Sequence, residues 1–204
     1  MADGAVSADE ALRRLIDGNE RFRRGEIRFP TAQKEILAQL ARGQQPYATI
    51  LGCSDSRVPP ELIFDVGLGE LFVVRVAGNV YSPEVSGSVQ YAGSHLNTSL
   101  FVVLGHAECG AVKAALETKL HAAQQHSRIQ ILVDDILPGL ADLDLQLPES
   151  LQLERAVEAN VRWTMRQILD SPEGKVALAE GRKKLVGGIY DIASGRVRFL
   201  QPQQ

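Results

Sequence analysis

The sequence is poor in cysteine and in aromatic residues, and it lacks a strong excess of either charge. Only 2 of its 204 residues are cysteine, which excludes the disulfide-rich scaffold of small secreted domains. The formal net charge is -3, whereas a nucleic-acid-binding surface is basic. No apolar run reaches the roughly 20 residues that a membrane-spanning helix needs. The composition therefore predicts a protein that binds neither nucleic acid nor a membrane.

What the sequence does contain is enough apolar material for a buried core. Hydrophobic residues make up 45% of the chain, and a chain of this length buries roughly 70% of its unfolded surface on folding. Nothing at the N-terminus resembles a secretory leader, so we expect a cytoplasmic protein with reduced thiols.

Both cysteines follow short apolar runs. The run 47–51 leads to Cys53, and the run 99–104 leads to His106 and Cys109. Runs of this composition are typical of buried strands, and ligands of parallel α/β sheets gather at the carboxyl ends of the strands. Two thiols and one imidazole suit zinc. The sequence therefore predicts a site for one Zn²⁺ per chain, held by these three side chains.

Three protein ligands leave one position of a tetrahedral zinc open. Structural zinc sites have four protein ligands, whereas catalytic sites have three. Asp55 is the obvious candidate for a fourth ligand, but Arg57 lies two residues further on and can hold the carboxylate through two parallel hydrogen bonds. We interpret Asp55 and Arg57 as a catalytic dyad beside an open zinc.

Three other interpretations of the cysteines are open from the residues alone. Each thiol could be a small buried hydrophobic group. Cys53 and Cys109 could form a disulfide, although a reducing compartment disfavours one. A Cys–His pair could act as a nucleophile, but it would leave the second cysteine, Asp55 and Arg57 without a role.

Helical and strand patterns alternate along the chain. A capping box at Ser7–Glu10 opens a first helix, residues 8–24, which ends at Gly25. Further helices are predicted at 31–41, 83–96, 110–120, 127–137, 149–169 and 172–179, and strands at 47–51, 71–76, 100–104, 185–191 and 196–200. A turn at Ser194 and Gly195 between the last two strands is typical of a hairpin. We predict an α/β fold with a mainly parallel β-sheet flanked by helices, a C-terminal antiparallel edge strand and an N-terminal helical arm.

We expect one domain over residues 1–204. It would comprise the N-terminal helical arm at 1–43, the zinc-site core at 44–120, and a helical segment with the C-terminal hairpin at 121–204.

Three segments carry a resemblance to a known family: Cys53–Glu61 (CSDSRVPPE), Gly69–Arg75 (GELFVVR) and Gly105–Gly110 (GHAECG). Together they resemble the β-class carbonic anhydrases, in which a Cys-x-Asp-x-Arg and a His-x-x-Cys each follow a strand. The likeness extends over residues 9–199 and is loose over 121–153. It implies a zinc lyase that hydrates carbon dioxide reversibly to bicarbonate and a proton, by attack of a zinc-bound hydroxide that the Asp–Arg dyad orients.

The resemblance also implies a substrate pocket. Gln44 falls where plant-type members place an amide that hydrogen-bonds the substrate oxygen, and Phe72 and Tyr91 fall where those members line the cavity from the neighbouring subunit. Ala77 stands in place of a larger valine. Gly110 opens a helix whose N–H groups suit an anion such as bicarbonate. Without the likeness, core packing is the alternative for the two aromatic residues.

Some bacterial members of that family carry a regulatory bicarbonate pocket built from a Trp, an Arg and a Tyr. Arg75 and Tyr190 fit the last two positions, but Ile50 stands where the Trp would be. We therefore expect no such regulation, and an Asp55 that stays paired with its Arg at neutral pH. For Arg75 we expect a buried structural or interface ion pair.

The predicted N-terminal helix has an apolar stripe and is separated from the sheet by a long arm, which favours packing on a neighbour. Together with the family's shared pocket, this predicts a homodimer or a dimer of dimers. Two other functions stay open. A non-catalytic zinc module would have no reason to retain Asp55, Arg57 and Gln44 together. A hydrolase of carbon disulfide or carbonyl sulfide, which are linear like carbon dioxide, would share the same ligands.

Overall fold

The computed structural model describes residues 6–28, 34–181 and 183–201, and its centre is a five-stranded sheet. The strands are β1 (Ala48–Gly52), β2 (Leu71–Arg75), β3 (Leu100–His106), β4 (Lys184–Asp191) and β5 (Arg196–Phe199). Their order across the sheet is β2-β1-β3-β4-β5. The first four are parallel to one another, and β5 is antiparallel to β4. This topology confirms the predicted mainly parallel sheet with a C-terminal antiparallel edge.

Helices precede, connect and cover the strands. They are α1 (Ala8–Arg24), α2 (Lys34–Leu40), α3 (Pro60–Ile63), α4 (Pro83–Ser94), α5 (Gly110–His121), α6 (Ser127–Ile136), α7 (Glu149–Asp170) and α8 (Pro172–Glu180). Short 3₁₀ turns lie at Ala77–Asn79 and Leu137–Leu140. None of the helices in the three described ranges is long and apolar enough to cross a bilayer.

The longer elements lie where the sequence predicts them. The predicted start of the second helix, residues 31–33, lies outside the described residues. Helix α3 and the turn Ala77–Asn79 were not predicted, because three or four residues are too few to show a helical period. Strand β3 runs two residues past its predicted end, since it continues to pair with β4 up to His106 and Tyr190.

Helix α1 begins and ends at the predicted caps. The Glu10 backbone N–H donates to the Ser7 side chain at 3.2 Å, which satisfies one of the free donors of the first turn. Gly25 has φ 71, a left-handed conformation that glycine adopts without a steric penalty.

The buried face of α1 packs on its own chain. Leu15 is fully buried, and the Asn19 amide donates to the carbonyl oxygens of Ile63 and Gly195 at 3.1 and 2.8 Å. Ile16, which the spacing places on the apolar stripe, is 47% exposed. The chain itself therefore covers the part of the stripe around Leu15, whereas the exposed Ile16 leaves the expected packing on a neighbouring subunit as a prediction.

The register of the sheet brings two sequence-distant segments to one edge. Gly52 lies opposite Leu104 in the ladder of β1 and β3, so Cys53 emerges beside the last residues of β3. All five residues of β1 are buried, as is typical of a parallel strand covered on both faces.

Candidate metal centre

Cys53, His106 and Cys109 form a cluster of three buried donors. Each offers one ligand atom, and these atoms all lie within 4.8 Å of one another. Cys53 follows β1, His106 ends β3, and Cys109 is the N-cap residue of α5. Both cysteines are free thiols. The structure thus brings together the three predicted ligands and does not form the alternative disulfide.

The His106 ring is oriented for a ligand at one of its two nitrogens. Nδ1 lies 2.8 Å from the carbonyl oxygen of Ala107, while Nε2 is buried and has no hydrogen-bond partner among the described residues. A proton on Nδ1 leaves the lone pair on Nε2. Buried polar atoms without a partner are uncommon, so the donor set fits a metal ion.

Hydrogen bonds stabilise a thiolate at Cys53. A hydrogen bond from the Cys109 side chain lowers the pKa of Cys53, and the N–H of Gly78 acts in the same direction. The Gly78 nitrogen lies 3.4 Å from Sγ of Cys53. The same sharing of one proton, together with burial, raises the pKa of Cys109. Because ligating thiols are deprotonated, a bound divalent cation would displace the shared proton.

Arg57 holds both oxygens of the Asp55 carboxylate. Its Nε donates to Oδ1 at 2.9 Å, its Nη2 donates to Oδ2 at 2.7 Å, and its backbone N–H donates to Oδ1 at 2.9 Å. These bonds hold the pKa of Asp55 below its usual range. Oδ2 also lies 3.9 Å from Nε2 of His106. The carboxylate therefore lies beside the donor cluster while it is directed at Arg57.

Arg75 anchors the loop that carries Cys53 and Asp55. Its Nε donates to the carbonyl oxygen of Cys53 at 2.8 Å, and its Nη2 donates to that of Asp55 at 2.5 Å. The residue is exposed in the single chain, so the predicted buried structural ion pair is not formed, and the alternative, an interface ion pair, stays a prediction. Among the described residues, no carboxylate forms an ion pair with Arg75. Arg75 ends β2 opposite Gly52, which puts its side chain next to backbone carbonyls rather than carboxylates.

Two of the five predicted pocket residues lie at the cluster. Ala77 opens the 3₁₀ turn whose next residue, Gly78, contacts Cys53. Gly110 follows Cys109 directly and opens α5, and the space where its side chain would lie is empty of other atoms.

The other three predicted pocket residues lie towards the amino ends of the strands. Gln44 precedes β1, and Phe72 is the second residue of β2. The rings of Phe72 and Tyr91 are 6.1 Å apart, and Tyr91 is 45% exposed. The five residue steps of β1 up to Cys53 span about 16 Å. These three side chains are therefore remote from the cluster of their own chain.

Two of the three residues at the predicted regulatory positions, Ile50 and Tyr190, are buried, whereas Arg75 is exposed. Ile50 is fully buried in β1, and Tyr190 is 4% exposed and lies beside His106 in the ladder of β3 and β4. Ile50 fills the interior of the sheet and offers no surface to a ligand.

A large cavity lies away from the donor cluster. Its volume is about 820 Å³, and it lies between α4 and α8 at the amino ends of β3 and β4, lined in part by Val89, Phe101, Ile168, Val176 and Lys183. Neither the three donors nor Asp55 borders it. Because metal-ligand donors and a positioned carboxylate determine the chemistry, the candidate site is the cluster and not this cavity.

Sequence reasoning missed two residues behind the cluster, Gly78 and Asn160. The Asn160 amide donates to the carbonyl oxygen of Gly78 at 2.8 Å. The available signal was a polar residue on the apolar stripe of a predicted helix, since Ala156, Val157 and Val161 lie on the same face.

Comparisons with known proteins agree with this geometry. A family model described as Carbonic anhydrase matches residues 48–197. Carbonic anhydrase 2 of Mycobacterium tuberculosis is 45% identical over 190 residues, which cover 91% of this chain and 89% of the relative. The carbonic anhydrase of Mycolicibacterium smegmatis is 38% identical over 193 residues, which cover 93% of this chain and 91% of the relative.

Solved structures show the same similarity. The β-carbonic anhydrase CcaA superposes with a TM-score of 0.74 at 30% identity, covering 95% of this chain and 92% of its own. The Coccomyxa β-carbonic anhydrase in complex with acetazolamide superposes with a TM-score of 0.73 at 26% identity, covering 93% of this chain and 86% of its own.

Proposed function

The chain belongs to the β-class carbonic anhydrases, and from this premise we propose that it hydrates carbon dioxide reversibly to bicarbonate and a proton at the cluster of Cys53, His106 and Cys109. One observation carries the proposal. Three buried donors converge within 4.8 Å beside a carboxylate that Arg57 holds by both oxygens. A structural site would need the ligands alone.

The proposed cofactor is one zinc ion per chain. Two thiols and an imidazole with an unpartnered Nε2 are ligands that zinc prefers, and three of them leave one coordination position open. When bound there, zinc would lower the pKa of a coordinated water towards neutrality and so supply the nucleophile.

Asp55 is the proposed proton acceptor and orienting group. Its carboxylate stays ionised because the bonds from Arg57 lower its pKa, and Oδ2 lies 3.9 Å from the ligating nitrogen of His106. At this place the carboxylate can accept a hydrogen bond from the nucleophile and direct a lone pair at the carbon of carbon dioxide. Arg57 has a second task, since it keeps both oxygens away from the open metal position.

We propose that a second copy of the chain completes the pocket, in a homodimer or a dimer of dimers. Ala77 and Gly110 lie at the chain's own cluster, whereas Gln44, Phe72 and Tyr91 lie too far away to line it. Strand β2 is an edge of the sheet, and its first four residues are apolar and only half-buried. An exposed apolar edge next to an exposed Tyr91 is a surface suited to a partner chain.

Subunit mixing tests the shared pocket. We expect Cys109→Ser and the double variant Phe72→Ala/Tyr91→Ala each to be nearly inactive. After exchange of subunits at equal amounts, half of the dimers are mixed and each has one intact site, so about one quarter of the parental activity should return. Mixtures that stay as inactive as the separate variants would contradict a pocket shared across the interface.

We further propose that residues 1–204 form one domain in the cytoplasm. The buried apolar residues form a core cluster that extends from Ala11 in α1 to Leu200 after β5. The two free thiols support a reducing compartment.

The activity is tested by stopped-flow carbon dioxide hydration, measured beside sulfide release from carbon disulfide and carbonyl sulfide. We expect fast hydration by the zinc-loaded parent and a rate lower by about 100-fold in Asp55→Asn, since an amide cannot accept the proton. Both proteins should hold zinc equally. A zinc-loaded parent that released sulfide without hydrating carbon dioxide would be a hydrolase, and this would refute the proposed reaction.

A further inference from the structure

Asn160 and Thr164 are polar residues on an otherwise apolar, buried stripe of α7. Asn160 is 1% exposed and Thr164 is fully buried, among apolar neighbours that include Val157 and Val161. Burying an amide is unfavourable unless its polar atoms are hydrogen-bonded. The Oδ1 atom of Asn160 nevertheless has no partner in the part of the chain that is described. Core packing alone therefore does not explain an asparagine at this position.

The other half of the Asn160 amide supports the turn behind Cys53. Nδ2 donates to the carbonyl oxygen of Gly78 at 2.8 Å. Gly78 has φ 70, and in this conformation its N–H points at Sγ of Cys53 across 3.4 Å. A Cβ atom at Gly78 would lie 2.8 Å from Cδ1 of Ile136. The turn is therefore closely packed, and the Asn160 bond fixes the backbone of the residue that contacts the sulfur.

We propose that Asn160 is a positioning residue for the metal centre and acts through Gly78 on the Cys53 thiolate. This inference rests on the metal site proposed above. A backbone N–H that donates to a ligating sulfur stabilises its negative charge and fixes the direction of its lone pairs. Loss of the Asn160 amide releases the Gly78 peptide from this orientation. Supporting residues of this kind change metal affinity by about 10- to 100-fold.

Thr164 provides a matched control on the same helix. Its hydroxyl donates to the carbonyl oxygen of Asn79 at 3.1 Å, so it also supports the 3₁₀ turn from one helical turn further along α7. It does not bond Gly78. A variant that removes this hydroxyl loses one buried hydrogen bond to the turn but keeps the bond that aims Gly78 at the sulfur.

The test compares zinc affinity in Asn160→Leu and Thr164→Val, both close in volume to the parental residues. Competition with a chromophoric chelator on the purified full chains gives the dissociation constants. We expect Asn160→Leu to bind zinc at least about 10-fold more weakly than the parent. Thr164→Val should stay within about threefold, because it does not touch Gly78. In the metal-free proteins, the two variants should lower the thermal unfolding temperature by similar amounts.

A second readout follows the Gly78 amide directly. In the zinc-loaded, isotope-labelled protein we expect the Gly78 amide proton to shift upfield in Asn160→Leu and to stay in place in Thr164→Val. If the leucine variant fails to fold, Asn160→Ser replaces it, since serine adds no bulk and is too short to reach the Gly78 carbonyl. The same loss of affinity is expected there.

Three results would overturn the inference: parental zinc affinity in both Asn160 variants, an equal loss in Thr164→Val, or an unmoved Gly78 amide proton. Failure of the proposed function gives a different result. If the parent itself holds no zinc, the metal site is wrong, whereas tight binding by the parent and by Asn160→Leu together refutes only the role of Asn160.

Discussion

Replacement of Arg57 by alanine should allow Asp55 to bind the zinc as a fourth ligand, while the zinc itself stays bound. The variant removes the two side-chain bonds to Asp55, at 2.9 and 2.7 Å, and leaves the bond from the backbone N–H. Two ligands on a tetrahedral zinc, each about 2.1 Å from the metal, are about 3.4 Å apart. Oδ2 of Asp55 lies 3.9 Å from Nε2 of His106, so a shift of roughly 0.5 Å gives it the spacing of a fourth ligand. Released from Arg57, the carboxylate can take the position that substrate chemistry needs.

We expect hydration activity in Arg57→Ala to fall by about 10- to 100-fold while zinc content stays at one per chain. Stopped-flow hydration measures the rate, and atomic absorption measures the metal. Arg57→Lys is the matched control, since it keeps the charge but not the two parallel bonds, and it should be intermediate. A zinc-loaded Arg57→Ala with the parental rate would refute the reasoning, because Asp55 would then need no partner to stay off the metal.

Three further outcomes are expected. Cys109→Ser should lose most of its zinc and its activity in the same assays, and full metal content would remove this residue from the ligand set. Since the bonds from Arg57 lower the pKa of Asp55, this carboxylate stays ionised as the pH falls from about 9 to about 6. The water on the bound zinc is then the group that ionises in this range, so the hydration rate should rise with pH as a single ionisation. A cooperative profile would count against an open site. Leu15→Ala should lower the free energy of unfolding by about 2–5 kcal/mol, whereas Ile16→Ala should change it by less than about 0.5 kcal/mol; equal effects in thermal unfolding would mean that α1 does not pack as described.

The sheet and the three donors could be predicted because a parallel strand that is buried on both faces consists of consecutive apolar residues, which are visible in the sequence. Such runs at 47–51 and 99–104 define where Cys53 and His106 emerge. The pairing of Asp55 with Arg57 could be predicted as well, since two residues of spacing in a loop allow a side chain to reach its neighbour.

The interactions that could not be predicted join a side chain to a backbone atom distant in sequence. Arg75 bonds the carbonyls of Cys53 and Asp55 because the register of β1 and β2 puts it beside them. Asn160 reaches Gly78 from a helix that begins 71 residues further along the chain. Carbonyl oxygens are identical at every residue, so no pattern of side chains reveals which of them will be partners.

The surface that covers the buried face of α1 could not be predicted for a related reason. An apolar stripe indicates that a helix face is buried, but it does not identify the surface that buries it. In the structure, Leu15 and Asn19 pack on the strands and loops of their own chain, whereas the apolar stripe and the long arm had favoured a neighbour.

X-ray absorption at the zinc edge of the purified protein tests the central claim most directly. The account predicts about one zinc per chain with two sulfur ligands at about 2.3 Å, and imidazole nitrogen plus one further light atom at about 2.0–2.1 Å. This shell corresponds to Cys53, Cys109 and His106 with one position open to solvent or substrate. A shell with fewer than two sulfurs, or protein that holds no zinc, would contradict it.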